Sequence, residues 1–192
     1  MLVTITRTRS RGYGIRVAPP GLPALEMSPA PSYDELLPHD VVHFVVEEEL
    51  RLAGGIFGQL AAGGDAGTFR LVPGAESPRD RARAQRRLRE RGERLHREGR
   101  ADTEFSERAA TICHHAWLAR STRREDRERA EQGAAFVEKT RAACSAAERA
   151  ALSEETIERI CRRFDELSAR WVKLAVGESL ELRWERRRGA AA

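Results

Sequence analysis

Two imidazoles and two carboxylates fall within nine residues of this chain, at His39, Asp40, His43 and Glu47. At about 100° per residue, as in an α-helix, all four lie within one arc of about 100°, while Val41, Val42, Val45, Val46 and Leu50 fill most of the opposite side. A four-residue step puts two imidazoles on successive turns, where both can reach one divalent cation such as Zn²⁺, Mn²⁺ or Fe²⁺. The spacing predicts a metal site, zinc foremost, with His39 and His43 as ligands. Glu47 or a residue from elsewhere would complete it, and His115 and Cys113 are the nearest candidates by residue type. With an open coordination position, bound water would become acidic enough to attack an ester, amide or phosphate, and Asp40 or Glu47 would accept the proton. The apolar opposite side would anchor these groups against a core.

His39-Asp40-Val41-Val42-His43 has the form HDxxH and resembles the HExxH of zincin metalloproteases at both histidines. The resemblance covers five residues and implies zinc binding by His39 and His43, with Asp40 standing where that family carries its glutamate general base. Glu47 also has a supporting reading, as an acceptor for an imidazole N–H. The competing structural reading leaves His39 and Asp40 at the surface of a helix start, with His43 and Glu47 as an ordinary polar pair. Cys113-His114-His115 offers no nucleophile pair, because adjacent helical residues point in different directions, and buried structural cysteines are expected.

The elements that must position the stripe follow from periodicity. Val3 and Ile5, then Tyr13, Ile15 and Val17, alternate as two strands around a turn at Arg9-Ser10-Arg11-Gly12. Residues 18–32 hold five prolines and predict an extended connection, not an inner strand. The histidine helix should open at Pro38 and close near Gly54-Gly55. The glycine-rich residues 54–64 read as two helix caps around a short apolar helix, or as a loop whose backbone approaches a ligand. A helix with Ser77 as N-cap follows, then one with the stripe Phe105, Ala109, Ile112, Ala116 and Ala119. On it His115 flanks the stripe and His114 points away. Ser153 caps the strongest core helix, with Ile157, Ile160, Phe164, Leu167, Trp171 and Leu174 stepping by three and four. Leu180, Leu182 and Trp184 form a last strand ahead of Arg186-Arg187-Arg188.

The expected class is therefore α+β, mostly helical, with a small antiparallel sheet from both ends of the chain, helices packed on it and an Arg-rich helical excursion. Residues 1–75 would hold the N-terminal strands and the histidine helix. Residues 76–150 would be the charged excursion, and residues 151–192 would return a core helix and strand to the same domain.

The 192 residues carry a net charge of +4. Within residues 77–100 ten arginines face four acids, while only two of the 34 basic residues are lysine, as codon bias would also produce. Arg79, Arg83, Arg86, Arg87, Arg94 and Arg97 would offer a nucleic-acid or acidic protein partner a cationic face. No aromatic is interleaved to stack on bases, and i to i+4 Glu/Arg pairing favours a solvated helix. A non-catalytic helical interaction module is the third class of function. Three cysteines without CxxC spacing exclude a disulfide framework and a four-thiolate zinc site, and no apolar run reaches the length of a signal peptide or membrane span. A cytoplasmic location and no membrane contact are expected.

Overall fold

The computed structural model describes residues 1–74 and 77–185. Strands β1 (Leu2–Arg9) and β2 (Gly12–Ala18) form the expected hairpin, and β5 (Ser179–Arg183) closes on the other edge of β1. Ile5 faces Ile15 on one side and Leu180 on the other. The alternation works as anticipated: Val3, Ile5, Tyr13, Ile15, Val17, Leu180 and Leu182 are all buried. Met1 and Trp184 exchange backbone hydrogen bonds of 2.9 Å, extending that pairing. Arg186-Arg187-Arg188 lie outside the described residues.

The proline-rich connection differs from expectation. It contains β3 (Leu25–Met27), which pairs with β2 and with the two-residue β4 (Arg70–Leu71), giving the antiparallel order β4-β3-β2-β1-β5. Leu25, Glu26 and Met27 fall between Pro23 and Pro29, so the strand keeps its donors and the prolines remain outside the ladder.

Helix α1 (His39–Glu49) begins after Pro38 and ends earlier than the glycines suggested. Arg51 takes the left-handed position at φ 57°, with Leu52 N–H bonded to the Glu47 carbonyl and Arg51 N–H to that of Glu48. This is a Schellman termination with arginine in the place usually held by glycine. Helices α2 (Ile56–Ala61), α3 (Pro78–Glu98), α4 (Arg100–Ala119), α5 (Arg124–Ala143), α6 (Ala146–Ala151) and α7 (Glu154–Trp171) follow. Serine hydroxyls cap α3, α6 and α7, accepting from backbone N–H groups three residues on.

Helices α1, α4 and α7 pack against one another, and α5 runs along α4. Aromatic pairs tie this layer to the sheet: Tyr13 of β2 meets Trp171 of α7 edge to face at 6.0 Å, and Trp184 meets Phe44 of α1 at 5.7 Å and Phe57 of α2 at 5.9 Å. Ile160, Phe164, Leu167 and Trp171 are buried, as the α7 stripe requires. Only part of the stretch expected as an excursion projects from the body. Helix α3 is largely exposed, whereas α4 lies in the core, because Phe105, Ala109, Ala110, Ile112, Cys113, Trp117 and Leu118 give it a wide apolar surface.

Candidate metal centre

Helix α1 is buried almost throughout. Val41, Val42, Phe44, Val45 and Val46 enter the core, and Asp40, His43 and Glu47 are also inaccessible, with only His39 of the polar stripe exposed. The stripe does not face water, as a simple amphipathic helix would require. His43 and Glu47 face Ser106 of α4, Asp40 faces Tyr13 of β2, and these buried polar groups are satisfied one by one.

His43 is the centre of that seam. Its Nδ1 lies 2.9 Å from Ser106 Oγ on α4, and that hydroxyl donates to Glu47 Oε1 at 2.9 Å. Since the serine proton goes to the carboxylate, Ser106 Oγ is left to accept from His43 Nδ1–H. A neutral imidazole with its proton on Nδ1 carries a lone pair on Nε2. Burial, reinforced by neighbouring His39, holds the ring neutral by lowering its pKa to about 3. His43 Nε2 points at His39 Nε2, 3.1 Å away, and lies 3.6 Å from Glu107 Oε2. Ligand atoms of His39, His43 and Glu107 all lie within 4.8 Å of one another. Two nitrogens bound to one zinc at about 2.0–2.1 Å would stand roughly 3–4 Å apart, and the two histidines meet that condition.

Glu47 is not among these three. Its carboxylate is fully buried and turned to the start of α2, accepting from Ile56 N–H and Phe57 N–H at 2.9 Å each, besides Ser106. A Cβ at Gly55 would sit 2.4 Å from the Glu47 carboxyl carbon. The glycine-rich loop thus does admit a close anion, and the anion is the chain's own. Burial raises the Glu47 pKa to about 7 against the pull of its three donors. Glu47 reaches His43 only through Ser106, the position that the supporting reading requires, and its carboxylate lies apart from the three converging ligand atoms.

Asp40 is not placed as a base toward the cluster either. It is buried and accepts from Tyr13 Oη at 2.5 Å, a hydroxyl that also lies 2.9 Å from the Pro31 carbonyl. Burial raises the Asp40 pKa, partly opposed by the Tyr13 bond and by His39. Asp40 pins α1 to β2.

His115 lies on another side of α4. Its Nδ1 sits 2.9 Å from the Thr111 carbonyl, and its ring packs where a Cβ at Gly133 of α5 would come within 2.1 Å of Nε2. Cys113 is buried, its thiol pKa raised chiefly by burial, and its carbonyl lies 3.9 Å from Cys161 Sγ. Neither joins the cluster among the described residues.

His114 instead shares with His39 a cleft of about 210 Å³, lined also by Ser32, Tyr33, Asp34, Leu37 and Val42. Burial lowers its pKa to about 4, against the charge of Asp34, which is ion-paired to Arg129 at 2.6 Å. The expected α4 stripe ran through Phe105, Ile112 and Ala119 and left His114 outside. The buried surface is broader because α4 touches α1, α5 and α7. Glu107 and His114 were both missed. They lie seven residues apart, two helical turns, and that spacing is the signal that associates them on one flank.

The arrangement offers two imidazoles and a carboxylate, and one of them, His39, also lines the cleft that holds His114. One imidazole is oriented by a buried hydrogen-bonded chain. Compared with protein families, characterised proteins and solved structures, the chain matches none.

Proposed function

We propose that the chain binds one divalent transition metal, zinc foremost, through His39 Nε2, His43 Nε2 and Glu107 Oε2. The observation that supports this best is the convergence of three ligand atoms within 4.8 Å, one of them presented by the His43–Ser106–Glu47 chain. Three protein ligands with room for water is the pattern of catalytic zinc, whereas structural zinc is closed by four. On this reading the protein is a metal-dependent hydrolase, and its substrate enters the cleft beside His39 and His114. Glu107 is exposed, and its second carboxylate oxygen, left free when Oε2 binds the metal, would exchange protons with bound water. A cytoplasmic location belongs to the same proposal: Cys113, Cys144 and Cys161 are free and buried. Among the described residues no helix is long and apolar enough to cross a membrane.

The test is metal content of protein purified without a histidine tag, alongside a His39→Ala/His43→Ala variant, followed by assay of the zinc-loaded protein on activated esters and phosphomonoesters. One metal per wild-type chain, absent from the variant, and turnover that a chelator abolishes are expected. Metal without turnover would reduce the proposal to a binding domain, and equal sub-stoichiometric metal in both proteins would reject it.

A second reading, contact with nucleic acid or an acidic protein through α3, has one observation in its favour. Arg79, Arg83, Arg87 and Arg97 form no ion pair among the described residues, although Arg86 and Arg94 are paired to Glu90 and Glu98. It requires binding to RNA or DNA that weakens steeply with salt, as released counterions dictate.

A further inference from the structure

Where α3 crosses the outer strands of the sheet it leaves a cleft of about 190 Å³, remote in sequence from the histidine cluster. Its walls are apolar, with Leu22, Leu25, Leu71 and Leu88 among the lining side chains, and Leu22 remains 38% exposed. Two guanidinium groups stand at the same cleft, Arg87 and Arg91, one helical turn apart on α3.

The charge pattern of α3 separates these two arginines from their neighbours. Arg86, Arg89 and Arg94 each meet a glutamate four residues on, at 3.7, 3.8 and 3.9 Å. Arg87 and Arg91 meet no acid within ion-pair distance among the described residues. The turn opposite them lies against the Arg91 guanidinium. Gly63 has φ +83°, and a Cβ there would lie 2.8 Å from both Arg91 Nη1 and Leu22 Cδ1. The positive φ favours glycine here, and the bare backbone lets the arginine head and the leucine lie close over it. The cleft therefore combines an apolar interior with an uncompensated double positive charge.

We propose that this cleft binds a small amphipathic anion, an apolar body carrying a carboxylate that Arg87 and Arg91 receive together. A dry cavity of about 150 Å³ accommodates benzene, so this volume takes a chain of roughly eight carbons. The apolar walls recognise the body, and a guanidinium fork recognises the planar carboxylate. The inference stands apart from the metal proposal, since it shares no residue with that site.

Octanoate well below its micellar concentration is the probe, titrated calorimetrically into the full chain. Saturable binding of one octanoate per chain is expected, at least tenfold tighter than octan-1-ol or octylamine, because a charge-assisted bond contributes about 1.5–3 kcal/mol. Arg87→Gln/Arg91→Gln should lose tenfold or more. Both side chains are exposed, so circular dichroism should show an intact fold. Ala84→Trp, at an exposed position lining the cleft, should block octanoate by filling the space. Absence of saturable binding, equal binding of octanol, or octanoate affinity unchanged in the double variant would overturn the proposal. Adsorption to anionic vesicles without uptake of monomeric octanoate would overturn it as well.

Discussion

The α1–α4 seam and the exposed face of α3 are both rich in ionisable groups, and they treat them in opposite ways. In the seam, His43 and Glu47 have almost no contact with water, and hydrogen-bonded partners contact both nitrogens of His43 and both oxygens of Glu47. On α3 the pairs Arg86–Glu90, Arg89–Glu93 and Arg94–Glu98 are separated by 3.7–3.9 Å, with side chains at least 61% exposed. Buried polar groups without partners are expensive, so the seam can exist in one arrangement only. Solvated pairs exchange a neighbour for water at little cost. Charge density alone therefore says little about where chemistry is held in place.

The largest expected effect is in the apolar core that backs the seam. Phe164→Ala should cost about 3–5 kcal/mol in denaturant unfolding, since the ring is fully buried. Next comes the seam itself. Glu47→Ala removes the acceptor for two α2 N–H groups and for Ser106, and should cost about 2–4 kcal/mol. A cost below about 0.5 kcal/mol would mean that the seam is as loosely held as α3.

Ser106→Ala breaks the chain between His43 and Glu47, and a loss of about 1–3 kcal/mol is expected. With it should go 10–100-fold in zinc affinity, the usual consequence of removing a group that orients a ligand. Ser106→Thr keeps the hydroxyl and should recover most of that affinity. Recovery of fold without recovery of affinity would separate packing from orientation.

Acid should act on the seam and its flank in a defined direction. His43 and His114 have folded pKa values lowered from 6.5 to about 3 and about 4. A depressed histidine contributes stability above its unfolded pKa and loses it as pH falls toward the folded value, because only the unfolded chain takes the proton. Glu47, raised from 4.5 to about 7, acts with the opposite sign and offsets one histidine between pH 4.5 and 6.5. His114→Gln should therefore flatten the pH dependence of stability between 6.5 and 4 by up to about 1.4 kcal/mol per pH unit. An unchanged slope would show that His114 is solvated. The smallest effect belongs to α3, where Arg89→Ala with Glu93→Ala should change stability by less than about 0.5 kcal/mol.

Much of the fold was legible because strand alternation and the α7 stripe are local patterns enforced by one buried side. Ile5, Leu180 and Phe164 lie where period two and period 3.6 place them. The β3 strand was hidden by surrounding prolines, whose effect ends outside three residues. The two histidines of the candidate site were legible from their four-residue step. Their partners were not, because Ser106 and Glu107 reach α1 only through tertiary packing across about sixty residues of sequence. Glu47 was visible as a polar member of the stripe, but the turn of its carboxylate to the start of α2 was not. Nothing in a helical stripe says whether a carboxylate faces a cation or the N-terminus of the next helix.

The central claim, that His39 and His43 converge on one cation with His43 held in a single tautomer, is tested most directly by long-range ¹H–¹⁵N spectra of the histidine rings during a zinc titration. Before zinc, His43 should show its proton on Nδ1 and a bare Nε2. Up to one equivalent, the Nε2 signals of His39 and His43 should move together to metal-bound values while those of His115 stay fixed. An Nε2-protonated His43 before zinc, or zinc that shifts one of the two rings without the other, would contradict the account.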